Sequence, residues 1–440
     1  MRRELDLLLL VALSHGMFLA EAGAGAPPGS SHRIGVRVVE GRGEFFDTVT
    51  GETYVPRGHN YVRANPSGTG HALFKTGEYD AAEVATAMTA MAAAGYNVIR
   101  VHVDRIHIEG EADAPGQRLD AAYLTNVVDL VTTARTHGLH VTFNFEFVPS
   151  TYDSLRGTPP PNVAGRNEHV MSQGYLEALA TFVVDVLEAI RAADATLLTT
   201  IFSFNLWNEA AFFSSDPPFS LSAGFVTPAE GGTYDLSIRA SRQLAADNGA
   251  RYFADFLVAR LKAAEPQLLL SISVFTPRAA QRTGYDGVDP IGSPIDSRLP
   301  FRVRALAASS LDYIDLHLIP TSFPWGLPYD LEAEMAVIEF DELDPAKPLF
   351  MGEIGAYKFD HSTVGSAIRT LLNHQARTCD LGFDGWVLWS WDTGELPTIP
   401  TLWNAVEEGA AIREALSPLV RPDPCVSPFL ASARRWRLYE

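Results

Sequence analysis

A helical stripe, a Gly or Pro break and a short apolar strand recur along this chain, and that recurrence limits the fold more than any other feature. Val84, Met88 and Met91 share a helical face, Gly95 stands where a helix ends, and the strand Tyr96–Val103 follows at once. Leu124, Val127, Val128 and Val131 form the next stripe, which Gly138 closes before the strand Leu139–Phe147. Leu176, Leu179, Val183, Leu187 and Ile190 lead to Thr200–Trp207; Phe253, Phe256, Leu257 and Leu261 lead to Leu268–Phe275. Further strands are predicted at Leu311–Ile319, Leu349–Ile354 and Gly385–Trp391, and a first one near Tyr54–Asn60. Strictly alternating strands and helices imply a parallel sheet with right-handed crossovers. Eight strands favour closure into a (β/α)8 TIM barrel, a single catalytic domain of the α/β class, over an open doubly wound sheet. No G-x-G-x-x-G follows an early strand, which excludes the common dinucleotide fingerprint.

Composition narrows the partners. Hydrophobic residues make up 47% of the 440 residues, enough for a large core. A net charge of -19 repels polyanions, so nucleic acid is not an expected partner. Arg2 and Arg3, the apolar run Leu7–Leu13 and small residues at Ala22, Ala24 and Ala26 read as a signal peptide over residues 1–26. The expected product is secreted or periplasmic, with no membrane span in the mature chain. Residues 27–35 read as a linker, 36–417 as the catalytic barrel and 418–440 as a C-terminal tail with Arg434, Arg435 and Arg437. Residues 211–250, with Pro217, Pro218, Gly231 and Gly232, break the rhythm and read as a long loop on the catalytic face, partly helical near its end. Cys379 and Cys425 are too few for a disulfide scaffold or a zinc site; they either pair with each other or stay as two buried thiols.

Chemistry in such a barrel sits where strands end at the C-terminal face. Two strands end in glutamates there: Asn208-Glu209 on the fourth and Gly352-Glu353 on the seventh. Cleavage of a glycosidic bond with retention needs two carboxyl groups about 5–5.5 Å apart, one to protonate the leaving oxygen and one to attack the anomeric carbon.

The patterns FNLWNEA at 204–210, MGEIG at 351–355 and GWVLWSW at 385–391 resemble the clan A glycoside hydrolases, especially family 5. The resemblance runs from about Val36 to Asn404. It implies that Glu209 is the acid/base and Glu353 the nucleophile. It also implies that Arg100, in AAGYNVIRVH, supports the nucleophile, and that His317, in IDLHLIP, matches the sixth-strand histidine. The substrates implied are β-linked glucose- or mannose-based chains, or a glycolipid head group. Two positions depart from the family pattern: Ala210 stands where Pro usually follows the Asn-Glu, and Ile319 where a Tyr usually donates to the nucleophile.

Other residues are weighed on their own. A cation at Arg100 keeps a neighbouring carboxylate ionised. His102 shares its face, and either lines the site or makes a structural hydrogen bond. Trp389 is the expected platform for a sugar ring and Trp391 a weaker second. Trp207 and Trp325 line distal subsites or simply pack. His317 has no metal-ligand spacing around it, and neither a metal nor a cofactor is expected. The residues are thus consistent with a hydrolase acting as a monomer on a carbohydrate substrate. A transglycosylase of the same chemistry, and a carbohydrate-binding barrel without activity, remain as alternatives. No G-x-S-x-G elbow points to a serine hydrolase.

Overall fold

In the computed structural model the alternation closes into a parallel barrel. The structure describes residues 31–63, 71–285, 288, 296–322, 328–393 and 401–427. The barrel strands are β1 (Arg57–Asn60), β2 (Val98–His102), β3 (His140–Asn144), β4 (Ile201–Asn205), β5, β6 (Ile314–His317), β7 (Leu349–Ile354) and β8 (Phe383–Leu388). Strand β5 is one run in two segments, Leu269–Ser271 and Ser273–Phe275. The first segment pairs with β4 and the second with β6, so the break at Ile272 falls where the fifth strand changes partner. β8 pairs with β1, and the ring is complete.

A helix follows every strand: α1 (Ala81–Ala93), α2 (Ala121–Thr136), α3 (Gln173–Ala193), α4 (Arg239–Ala264), α5 (Val303–Ala307), α6 (Leu331–Val337), α7 (Val364–Asp380) and α8 (Glu407–Leu416). Their starts and stops obey local chemistry. Asp80, Asp120, Asp330 and Thr363 each accept a backbone N–H at a helix N-terminus. Gly95 and Gly138 have φ of 81° and 70° just past α1 and α2, a conformation that costs glycine little. The five apolar residues of the α3 stripe are all fully buried against the barrel.

Three features differ from the sequence expectation. Strands β2, β3, β4 and β6 are shorter at both ends, because pairing stops where the chain turns onto a face of the barrel; β7 matches its reading, and β8 starts earlier, at Phe383, and ends at Leu388. The segment expected as a long loop after β4 holds the short strand Ala211–Phe213, paired antiparallel with Arg298–Pro300, then the small hairpin of Phe225–Val226 and Tyr234–Asp235. Helix α4 begins at Arg239, so the end of that segment is helical, as read. Finally, an N-terminal hairpin, Ile34–Val39 with Arg42–Asp47, starts inside the expected linker. Its Phe45 enters the lower barrel interior, with edge contacts to Phe202, Tyr313 and Phe350 at ring distances of 5.1, 5.3 and 6.5 Å. A barrel interior is a packed core, and this hairpin supplies its bottom layer.

Cys379 on α7 and Cys425 form a disulfide that ties residues 417–427 to the barrel wall. Arg57 at the start of β1 adds hydrogen bonds to the carbonyls of Leu416 and Arg421. The signal segment 1–26 and Arg434, Arg435 and Arg437 lie outside the described residues. No described helix is long and apolar enough to cross a membrane.

Phe45→Ala should cost about 3–5 kcal/mol, the usual range for emptying a fully buried aromatic site. Urea unfolding measures it. A loss below about 1 kcal/mol would mean that the hairpin does not seal the barrel.

Candidate active site

The polar ends of β1, β2, β4, β6 and β7 meet around one buried cation. Arg100 on β2 has no solvent exposure. Its Nη1 donates to Asn60 Oδ1 at 2.8 Å and to Glu353 Oε1 at 2.7 Å; its Nη2 donates to Asn208 Oδ1 at 3.0 Å and lies 3.3 Å from His317 Nε2. A buried charge needs such a set of partners, because no water is there to solvate it. Asn60 in turn donates to the carbonyl of Gly352 at 2.9 Å. Gly352 itself is required by space: a Cβ there would stand 2.5 Å from the Asp315 carboxylate, which accepts the Gly352 N–H. The Gly-Glu pair read in the sequence is thus a backbone seat followed by a side chain delivered to Arg100.

Glu209 is delivered differently. It follows β4 with φ of 48°, a left-handed backbone that is strained for a residue with a Cβ. Three hydrogen bonds hold that turn. Asn208 N–H donates to Phe145 O at 2.8 Å, Glu209 N–H to Ser273 Oγ at 3.0 Å, and Ala210 N–H to Ser273 O at 2.8 Å. The last bond explains the departure at Ala210, since proline has no N–H to give.

The two carboxylates face each other across His317. One oxygen of Glu209, one of Glu353 and one ring nitrogen of His317 all lie within 4.8 Å of one another. His317 Nδ1 is 3.3 Å from Glu209 Oε1 and 3.5 Å from Glu353 Oε2. No tyrosine stands at Ile319, and Ile319 lines the cleft in its place. Arg100 and His317 are the groups that reach Glu353 there. This trio is also the one cluster among the described residues with metal-ligand spacing. Arg100 already brings a positive charge to Glu353 and His317, which disfavours a second cation beside them.

Electrostatics set the carboxylates apart, in the order opposite to that expected of an acid at Glu209. Burial works to raise Glu209, but His317, Arg298 and Arg100 together hold it below its ordinary value. Burial pushes Glu353 above its ordinary value, against His317 and Arg100, and the charge on Glu209 adds to the rise. Burial opposes charge on His317 as well, yet Glu353, Glu209 and Asp315 lift it overall. Past the end of β3, Glu146 is pushed up to about 7 by burial and by Glu209.

Above this group opens a cleft of about 370 Å³. His102, Asn208, Glu209, His317, Glu353 and Trp389 all line it, with Arg100 beneath. His102 satisfies both readings of the sequence. Asn144 donates to its Nδ1 at 2.9 Å, and the ring meets Trp389 edge-on at 5.7 Å. Burial holds it well below the ordinary histidine value, so it is neutral. Trp389 follows the last paired residue of β8 and is half-buried, leaving indole surface in the cleft. Trp391 does not join it. The β8 ladder ends at Leu388, so strict alternation does not carry on to Trp391, which is buried against His59 and Arg413 in the outer core. Trp207 also packs, against Phe147 and Phe253. Trp325 lies outside the described residues. The sequence reading missed Asn60, Ser273, Arg298 and His71, which lines the cleft stacked on His102 at 4.0 Å. Asn60 carried a signal, a polar residue ending an apolar-flanked strand; Arg298 carried none, because only the pairing of its strand with Ala211–Phe213 brings it to Glu209.

No protein-family model matches the sequence, and no curated protein matches it. Solved structures do resemble the fold. The chain is similar to an endo-1,4-β-mannanase from Rhizomucor miehei, with a TM-score of 0.58 and 14% identity over 88% of this chain and 100% of that one. It is similar to an endo-β-1,4-mannanase from Thermotoga petrophila, with a TM-score of 0.52 and 12% identity over 85% of this chain and 78% of that one. It also resembles an exo-β-1,4-mannosidase from an Opitutaceae bacterium, strain TAV5, with a TM-score of 0.51 and 16% identity over 80% of this chain; the match spans 55% of that longer chain. At these identities the likeness establishes the (β/α)8 barrel.

Arg100→Met should cost about 3–5 kcal/mol, the usual penalty for breaking a buried ion pair from one side. Chemical denaturation of the variant measures it. Unchanged stability would mean that the Arg100 cluster does not hold the upper barrel together.

Proposed function

We propose that this protein is a retaining glycoside hydrolase cleaving β-glycosidic bonds of a β-glucan, β-mannan or related β-glycoside. One observation carries the reading: two strand-end glutamates with oxygens within 4.8 Å, in one cleft with an indole face. A nearest approach of that order suits the closer pair of a retaining enzyme, in which one carboxylate attacks directly, better than the wider pair of an inverting one. The solved structures with this fold include β-mannanases and a β-mannosidase, which supports a β-linked substrate.

In this mechanism a sugar ring rests on Trp389. Asn208 has its carbonyl oxygen taken by Arg100 and Ser273, so its amide N–H groups are left to donate to the sugar. The Glu353 carboxylate attacks the anomeric carbon while protonated Glu209 gives its proton to the departing oxygen. The glycosyl-enzyme ester is then opened by water, whose proton returns to Glu209. The electron pair on Glu353 is restored at the end. Secretion is part of the proposal: the Cys379–Cys425 disulfide suits an oxidising compartment.

The active form carries one proton on the pair, on Glu209. Glu209 is held low by His317, Arg298 and Arg100 and Glu353 is held high by burial, and the two titrate together as one pair. The pH window is unaffected by that split, because it belongs to the pair. Below the lower step both groups are protonated and no nucleophile exists. Above the upper step neither holds a proton and no acid exists. A bell-shaped profile on the acid side of neutral is expected, unchanged by a chelator. A rate that climbs steadily through neutral pH, or one lost in chelator and restored by a divalent ion, would contradict this.

Glu353→Ala should be inert even on activated aryl glycosides. Glu209→Ala should still release a leaving group that needs no proton, and azide should rescue its second step. Azide rescue of Glu353→Ala with a retained product would reverse the two roles.

A further inference from the structure

Arg298 plays no part in the mechanism above, yet it touches the proposed acid. Its Nη1 donates to Glu209 Oε2 at 3.2 Å. Its other face is fixed by Asp296, at 2.8 Å from Nη2 and 3.0 Å from Nε, and its guanidinium lies 4.5 Å from the centre of the Phe275 ring. The backbone also fixes it relative to Glu209. Arg298 pairs with Phe213, and Pro300 with Ala211, in the ladder that begins two residues after Glu209. The side chain is about one-third exposed and lines the cleft, where an entering substrate meets it.

An ionised carboxylate is what Glu209 must be in the second step, as base, and what it must not be in the first, as acid. A guanidinium on its outer oxygen favours the base form. The other groups facing Glu209 are His317 from β6, Arg100 from β2, and the acids Glu353 from β7 and Glu146 beyond β3. Arg100 is committed to Glu353, and His317 is shared between the two glutamates. Arg298 is therefore the cation directed to Glu209 alone of the pair.

Resting on the acid/base reading of Glu209, we propose that Arg298 is a positioning residue that holds Glu209 in place as the carboxylate in the empty cleft. Proton delivery to a leaving group then requires Arg298 to loosen its hold. Both side chains are about one-third exposed, so solvent weakens the pull of Arg298 on the acid without cancelling it.

The test compares two glycosides of one sugar. A dinitrophenyl glycoside leaves without a proton; an alkyl glycoside needs one. On the alkaline limb of the profile, where both carboxylates are ionised in most molecules, kcat/KM of Arg298→Gln on the alkyl substrate relative to the dinitrophenyl one should rise about 3- to 10-fold, as the protonated fraction of Glu209 grows. Arg298→Lys keeps the charge and should hold the ratio near that of the unaltered protein. A merely structural Arg298 would lower both rates together and leave the ratio unchanged, which would overturn the proposal. Should Arg298→Gln not fold, the unaltered protein serves: added salt screens a partly exposed pair and should raise the same ratio, and a salt-independent ratio overturns the proposal. Azide rescue of Glu209→Ala runs alongside. If rescue fails, the acid/base reading falls; if rescue succeeds with a flat ratio, only the role of Arg298 falls.

Discussion

The upper half of this barrel is organised by the need to surround one guanidinium that water cannot reach. Arg100 sits at the centre, and residues ending four other strands point their acceptors at it: Asn60, Asn208, His317 and Glu353. Three of those residues also do a second thing. Asn60 steadies the Gly352 carbonyl, Asn208 precedes Glu209, and His317 spans the two carboxylates. Burying a charge in this way is costly unless every partner is present. The same condition fixes the two glutamates within a few ångströms, so stability of the barrel mouth and geometry of the site are one constraint.

Against that buried half, Glu209 is the more exposed one. Its backbone is held in a left-handed turn by Ser273 and Ala210, while its side chain is about one-third exposed and shared between His317 and Arg298. A nucleophile needs a rigid seat and an unchanging charge. An acid/base group must change charge twice in each cycle and benefits from partners it can exchange. The difference in exposure and partners between Glu353 and Glu209 suits the division of labour proposed for them.

The ring of eight strands was legible because burial on both faces writes short apolar runs, and glycine at a helix end is written by backbone conformation. Arg100, Glu209 and Glu353 were legible because a charged residue at a strand end has few other reasons to be there. Trp391 was misread for a physical reason: alternation holds only while a strand is paired, and β8 stops at Leu388. The order of the two carboxylate affinities had no signal in the sequence, since it depends on burial, on His317 and on Arg298, which reaches Glu209 through a strand pairing 89 residues away. Phe45 gave no sign either, because a hairpin that plugs a barrel has the same pattern as one that packs anywhere else. The departures at Ala210 and Ile319 divide in the same way. A hydrogen bond from the Ala210 N–H explains the first, and nothing in the structure explains the second.

The central claim is a covalent bond between Glu353 and the sugar, and trapping it tests that claim most directly. A 2-deoxy-2-fluoro glycoside with a dinitrophenyl leaving group slows both steps but the second more, so the ester accumulates. Mass spectrometry of the proteolysed protein should then find one sugar on the peptide that contains Glu353, lost again when an acceptor sugar is added. A label on Glu209, or turnover of the parent glycoside to an inverted product with no label at all, would contradict the account.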